Sequence, residues 1–117
     1  MKTKIPEKLY HGTCRAFVAY ALQHKGRFGS EIGTSFTPDL EHAKTFAGSW
    51  NKARGVQRLR EYFDQSIDDL LPELSKPIIL QFEVNDLGCL RYRTDCGRDE
   101  YFVEGQVDIN KAIPIDQ

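Results

Sequence analysis

Two short stretches carry the side chains best suited to chemistry, and they lie near opposite ends of the chain: LYHGT at residues 9–13 and RDEYFVEG at residues 98–105. In the first, the imidazole of His11 offers a ligand one donor and one acceptor, and Gly12 lets a backbone come close to that ligand. In the second, strand alternation puts Glu100, Phe102 and Glu104 on one face and Tyr101 and Val103 on the other, so a carboxylate shares its face with an aromatic ring. Taken singly, His11 also reads as a turn histidine packed against a strand end, and Glu100 as a strand-end carboxylate in solvent.

Other chemistries fit less well. Cys14 follows His11 closely, but no third ligand falls at a metal-binding spacing, and His24 and His42 sit on helical patterns with solvent-facing neighbours. A Cys14–His11 nucleophile pair needs opposed geometry at a strand–helix junction. Neither GxGxxG nor GxxxxGK[ST] occurs, so a dinucleotide is not expected to bind in the Rossmann manner.

The elements that must position these residues follow from hydrophobic period. Leu9 and Tyr10 read as a short strand, with His-Gly-Thr at its junction with a helix from Arg15 to Lys25 that Gly26 closes. The Gly- and Ser-rich run RFGSEIGTSFTPD reads as a loop ending in a strand at residues 33–36. A helix follows, with Thr37 as cap, Pro38 at its first position, Asp39 near its positive end, and Leu40, Ala43, Phe46 and Ala47 as its buried stripe. Val56, Leu59, Phe63, Ile67, Leu70 and Leu74 mark one long helix or two joined ones, closing before Pro77. The basic cluster Lys52, Arg54, Arg58 and Arg60 on it reads as a solvated face, with phosphate contact as the alternative. From Pro77 the period becomes two, with Ile78, Leu80, Phe82 and Val84 on one greasy side. Strands at 90–95, at 100–104 and in KAIPI follow, the last an edge strand because Pro114 cannot donate to a ladder. Strand, helices, then a run of strands predicts an α+β fold with mostly antiparallel sheets.

Length and composition set limits. The 117 residues suit one domain spanning the chain, and 40% hydrophobic with 28% charged residues fits a globular protein rather than a disordered one. A formal charge of -1 gives no global field toward nucleic acid or an anionic membrane. The three cysteines, odd in number and without Cys-x-x-Cys spacing, argue against a disulfide framework or zinc knuckle and suit a reducing cytosol. MKTKIPEKLY has no apolar core behind its basic residues, and no run of about 18 apolar residues exists, so neither a secretion signal nor a membrane span is expected.

Taken together, LYHGT, GTSFTPDLEHAKTFA and DEYFVEG resemble, in order and separation, the catalytic core of the ADP-ribosyltransferase superfamily, especially its His-Tyr-Glu branch. The resemblance covers nearly the whole chain. It implies an ADP-ribosyltransferase-like split of mostly antiparallel sheets with flanking helices, and NAD as the substrate that donates ADP-ribose. It implies that His11 bonds the adenosine ribose, that the Gly12 backbone holds the nicotinamide amide, and that Thr13, Tyr10 and Ser35 belong to the same NAD-binding set. Phe46 falls where an aromatic stacks on the nicotinamide, and it reads as that stacking ring or as core. Glu100 takes the position of the catalytic glutamate, which binds the nicotinamide-ribose hydroxyls and stabilises the positive charge on the sugar.

Two departures stand out. Ser35 occupies the place of the branch's tyrosine, and the Ser/Thr character of that strand is typical of the Arg-Ser-Glu branch instead. Arg98 stands where that second branch carries Gln or Glu, which removes support for transfer onto arginine; an anionic acceptor for Arg98, or a loop pairing with Asp99, are the other readings. The expected activity is mono-ADP-ribosyl transfer to a protein or nucleic-acid acceptor by a monomeric microbial or phage effector or toxin. Its expected place is the cytoplasm, its own or that of a target cell. The alternatives are an inactive binding or inhibitory module of the same fold, and an RNA 2′-phosphotransferase-like enzyme, for which Arg15 and Arg27 are the phosphate-clamping candidates.

Overall fold

The alternation of Ile78, Leu80 and Phe82 produces β4 (Pro77–Glu83), the middle strand of a three-stranded sheet in the computed structural model of the chain. That structure describes residues 6–30, 32–63, 69–95 and 98–115, with the backbone alone at Asp95 and Arg98. The helical-stripe position Ile67 and the side chain of Arg98 therefore lie outside the described residues.

β4 pairs antiparallel with β1 (Lys8–Cys14), His11 opposite Leu80, and on its other side with β8 (Ile113–Ile115), which is an edge strand as Pro114 requires. β1 is longer than its apolar residues suggest: His11, Gly12 and Thr13 lie inside the strand, and α1 (Arg15–Gln23) starts directly after Cys14. α1 stops at Gln23, short of the expected Lys25, which itself turns left-handed at φ +62°; Gly26, at φ +77°, caps it by donating its N–H to the Ala21 carbonyl at 2.8 Å. The expected single greasy side of β4 is only half the picture. Ile79, on the opposite face, is fully buried because α2 (Leu40–Gly48) lies across that face and packs Ala43 and Ala47 against it.

A second antiparallel sheet orders β3 (Gly33–Phe36), β6 (Arg98–Glu104) and β5 (Leu90–Asp95), with β6 in the centre. β2 (Arg27–Phe28) and β7 (Val107–Asp108) form a two-stranded ribbon; β2 carries no period long enough to be read from sequence. Of the two expected arrangements of the helical stripe the described residues show two helices, α3 (Ala53–Tyr62) and α4 (Leu71–Leu74). All strand pairings in these ladders are antiparallel, so the fold is α+β. No helix among the described residues is long and apolar enough to cross a membrane.

The main core lies between the two larger sheets, where Leu9, Phe36, Leu80, Phe82, Tyr101 and Val103 bury one another. Among the described residues the sheets are stitched at one bridge: Tyr10 N–H donates to the Thr37 carbonyl at 2.8 Å and Thr37 N–H to the Tyr10 carbonyl at 2.9 Å. This fixes how α2 begins. With its backbone committed to Tyr10, Thr37 does not cap the helix as expected; Asp39 does, its carboxylate accepting from the N–H groups of Glu41 and His42. The Thr37 hydroxyl accepts from Asp39 N–H one step earlier.

Candidate functional site

Past the Tyr10–Thr37 bridge, β1 and β3 make no further ladder among the described residues. A side chain spans the gap instead: His11 Nδ1 donates to the Ser35 carbonyl at 2.6 Å. A carbonyl only accepts, so Nδ1 carries the proton and a neutral ring keeps Nε2 as an acceptor. The ring stands edge-on to Phe28 and Phe36, at 5.1 and 5.9 Å between centroids. Burial in this setting pushes the His11 pKa below 6.5, against the opposing effect of the Ser35 bond, so the ring is neutral near pH 7.

Gly12, on the other face of β1, meets the backbone of α2. A Cβ there would collide with the Ala43 carbonyl and lie 2.8 Å from Ala47 N. The glycine is therefore demanded by helix–strand packing, whatever its part in holding a ligand. Thr13 is buried and shares the face of His11.

On the second sheet, register decides what faces the gap. Ser35 lies opposite Phe102, and Glu100 opposite Arg93, all on one face, while Phe36, Tyr101 and Val103 turn into the core. Ser35 and Glu100 are diagonal neighbours on that face, near enough for the serine to help lower the carboxyl pKa. From the other side Arg93 grips the carboxylate with two bonds, Nε to Oε2 at 2.9 Å and Nη2 to Oε1 at 3.2 Å. The Arg93 hydrogen bonds, then the nearby Ser35 and the charges of Arg93 and His42, hold the Glu100 pKa below 4.5 despite partial burial. Glu100 is thus an ionised acceptor at physiological pH.

Two hollows adjoin this group of residues. The larger, about 630 Å³, is walled by His11, Thr13, Phe28, Ser35, Tyr62 and Gln106 among others. That is within the usual size of a small-molecule site, roughly 300–1,000 Å³. The smaller, about 80 Å³, lies between Tyr10, His11, Gly12, Ser35, His42 and Phe46. His11 and Ser35 line both and form the partition between them. Glu100 lines neither, but it shares a sheet face with Ser35, diagonal to it across the β3–β6 pair.

Six of the seven expected site residues thus line these two hollows, and Glu100 shares a sheet face with one of them, Ser35. Phe46 is 51% exposed, so it is not the core residue its helical stripe suggested; it stands over the small hollow. Glu104, the other carboxylate on the Glu100 face, pairs with Arg91 at 2.6 Å. Asp99 accepts from the Tyr92 hydroxyl at 2.5 Å. Arg27 lines the large hollow, but Arg15 is tied to Glu73 at 2.9 Å. Cys14 is fully buried, and burial raises its thiol pKa, which leaves it protonated and a poor nucleophile. Among the described residues no group of three His, Cys, Asp or Glu is arranged to hold a metal ion.

Sequence reasoning missed Arg93 and His42. Alternation within 90–95 puts Arg91 and Arg93 on one face, but which of them meets Glu100 depends on a cross-strand register that no sequence spacing supplies. His42 reads as solvent-facing, yet the start of α2 brings it beside the partition.

No protein-family model, curated protein or solved structure matches this chain. The candidate site therefore stands on its residues and their geometry.

Proposed function

We propose that the chain is a mono-ADP-ribosyltransferase that moves ADP-ribose from NAD to a macromolecular acceptor. The observation that carries this reading is the placement of His11, Ser35 and Glu100 from three strands: His11 bonds the Ser35 carbonyl, Ser35 shares a sheet face with Glu100, and His11 and Ser35 border a dinucleotide-scale hollow. The resemblance of the three motifs to ADP-ribosyltransferases supplies the reaction, and the chemistry of the groups fits it.

In this reading His11 Nε2 accepts from a ribose hydroxyl of the adenosine half, while Gly12 offers backbone groups to the nicotinamide amide. Glu100 accepts from the hydroxyls of the nicotinamide ribose. As the bond between the anomeric carbon and nicotinamide breaks, its electron pair leaves on the nicotinamide nitrogen and positive charge builds on the sugar. An ionised carboxylate held against that charge lowers the barrier; removing one such preorganised group costs about 2.7–4 kcal/mol in comparable sites. A lone pair of the acceptor nucleophile then forms the new bond to the anomeric carbon, and the acceptor's proton passes to solvent.

The test is incubation of the protein with labelled NAD and cell lysate, following nicotinamide release and label transfer for wild type and Glu100→Gln. Transfer lost in the variant supports the proposal, and release without transfer makes the protein an NAD glycohydrolase. Silence in both sinks it in favour of an inactive module of similar architecture. One observation favours that second reading: the hollow beside Phe46 holds the volume of roughly two or three waters, so a nicotinamide ring needs Phe46 to swing outward. For the phosphotransferase alternative, Arg27 lines the large hollow, whereas Arg15 does not and meets Glu73 in an exposed ion pair.

A further inference from the structure

The Glu100 carboxylate has a cross-strand partner whose role the resemblance leaves unassigned. We propose that Arg93 is a positioning residue for Glu100, gripping both carboxylate oxygens so that they stay turned toward Ser35 and the cavity partition; the proposal rests on the reading of Glu100 as the catalytic carboxylate.

Three observations separate this pair from an ordinary surface ion pair. It is bidentate, with bonds of 2.9 and 3.2 Å, and it joins residues directly opposite in the β5–β6 register. It is asymmetric: the Glu100 side chain is 20% exposed and that of Arg93 61%, so the carboxylate is the sheltered member and the arginine reaches in to it. Arg93 is itself seated, its guanidinium carbon 5.7 Å from the centre of the Phe102 ring, and that ring lies on Gly33, where any Cβ would collide with it. The line of support runs Gly33, Phe102, Arg93, Glu100, Ser35 across all three strands of the sheet.

The same sheet face contains a control. Arg91 and Glu104 also stand on β5 and β6, but they meet at a single contact of 2.6 Å with side chains 70% and 65% exposed. Exposed pairs of that kind contribute little.

A carboxylate has about four lone-pair sites. Arg93 takes two, which leaves the remainder for a hydroxyl of the sugar, at an orientation the protein has set in advance. The charged or titratable groups facing Glu100 are Arg93 from β5 and His42 from α2, with the Ser35 hydroxyl from β3.

The experiment compares wild type, Arg93→Ala, Arg93→Lys and the control Arg91→Ala. The titration of Glu100 is followed by its side-chain carboxyl ¹³C shift, beside kcat and KM for nicotinamide release from NAD and a thermal melt of each variant. Arg93→Ala is expected to raise the Glu100 midpoint, to lower kcat roughly 10- to 100-fold, and to leave KM nearly unchanged. The acid limb of kcat/KM moves up with the midpoint. Arg93→Lys restores charge and recovers the midpoint in part, but a point charge without the planar fork does not recover kcat. Arg91→Ala changes none of these. A Glu100 midpoint that stays in place in Arg93→Ala overturns the proposal, as does wild-type kcat in that variant. If wild type releases no nicotinamide, the proposed reaction falls, and the Glu100 midpoint alone decides whether Arg93 holds the carboxylate.

Discussion

The two walls of the cleft are held by different physics. On the β1 side everything is packed: Leu9 is fully buried, Gly12 is pressed to the α2 backbone, and His11 is boxed by Phe28 and Phe36. On the β5–β6 side, beside the hollows, the sheet face carries charge, and Glu100 is set by two hydrogen bonds from Arg93, which is itself still well exposed. A substitution in the first wall is therefore felt by the fold, and one in the second by the chemistry.

The largest effect should come from Leu9→Ala, which empties a fully buried site and is expected to cost about 3–4 kcal/mol. A thermal melt checks it, and a melting point near wild type would break the contrast. Next, Glu100→Gln should lower nicotinamide release about 100- to 1,000-fold while the melt stays within a few degrees of wild type. Gly12→Ala follows, at about 2 kcal/mol of stability from overpacking against α2, or very roughly 5–10 °C in the melt. If Gly12→Ala instead melts like wild type and loses only activity, the glycine serves the ligand and not the helix.

Acid sharpens the contrast in smaller steps. The folded His11 pKa is below 6.5, so beneath that pH the unfolded chain takes a proton that the folded one refuses, and stability falls as pH drops. Glu100 has the opposite sign of charge and a folded pKa below 4.5; its contribution is intact above 4.5 and vanishes as pH falls through the folded value. The packed wall should thus yield first. Urea midpoints between pH 7.5 and 5 should decline in wild type, by less than about 1.4 kcal/mol per pH unit from this group, and decline less in His11→Gln. The mildest test is labelling of the native protein with iodoacetamide, which should modify exposed Cys89 and spare buried Cys14.

Much of the scaffold was legible because burial leaves a period. Ile78, Leu80 and Phe82 announce β4, Tyr101 and Val103 announce the inner face of β6, and Gly26 marks the end of α1. Legibility fails where long-range partners decide. Thr37 and Asp39 are both competent caps, and the Tyr10 backbone determines which one serves. Phe46 has a core-like position in its helix, yet nothing in the helix reports that β1 approaches at a glycine and leaves its ring over a hollow. His11 and Glu100 were readable as types in motifs; the arginine that grips Glu100 was not, because register is a property of two strands together.

The bridge between Tyr10 and Thr37 has a mechanical consequence. Among the described residues it is the one pair of main-chain bonds that joins the two larger sheets, each bond contributing about 0.5–1.5 kcal/mol net, at the edge of the small hollow. Any guest that wedges the sheets apart strains this clasp before it disturbs the core, so breathing of the whole crevice is focused on two amide protons. Their deuterium uptake makes them a built-in gauge of how far the protein gapes.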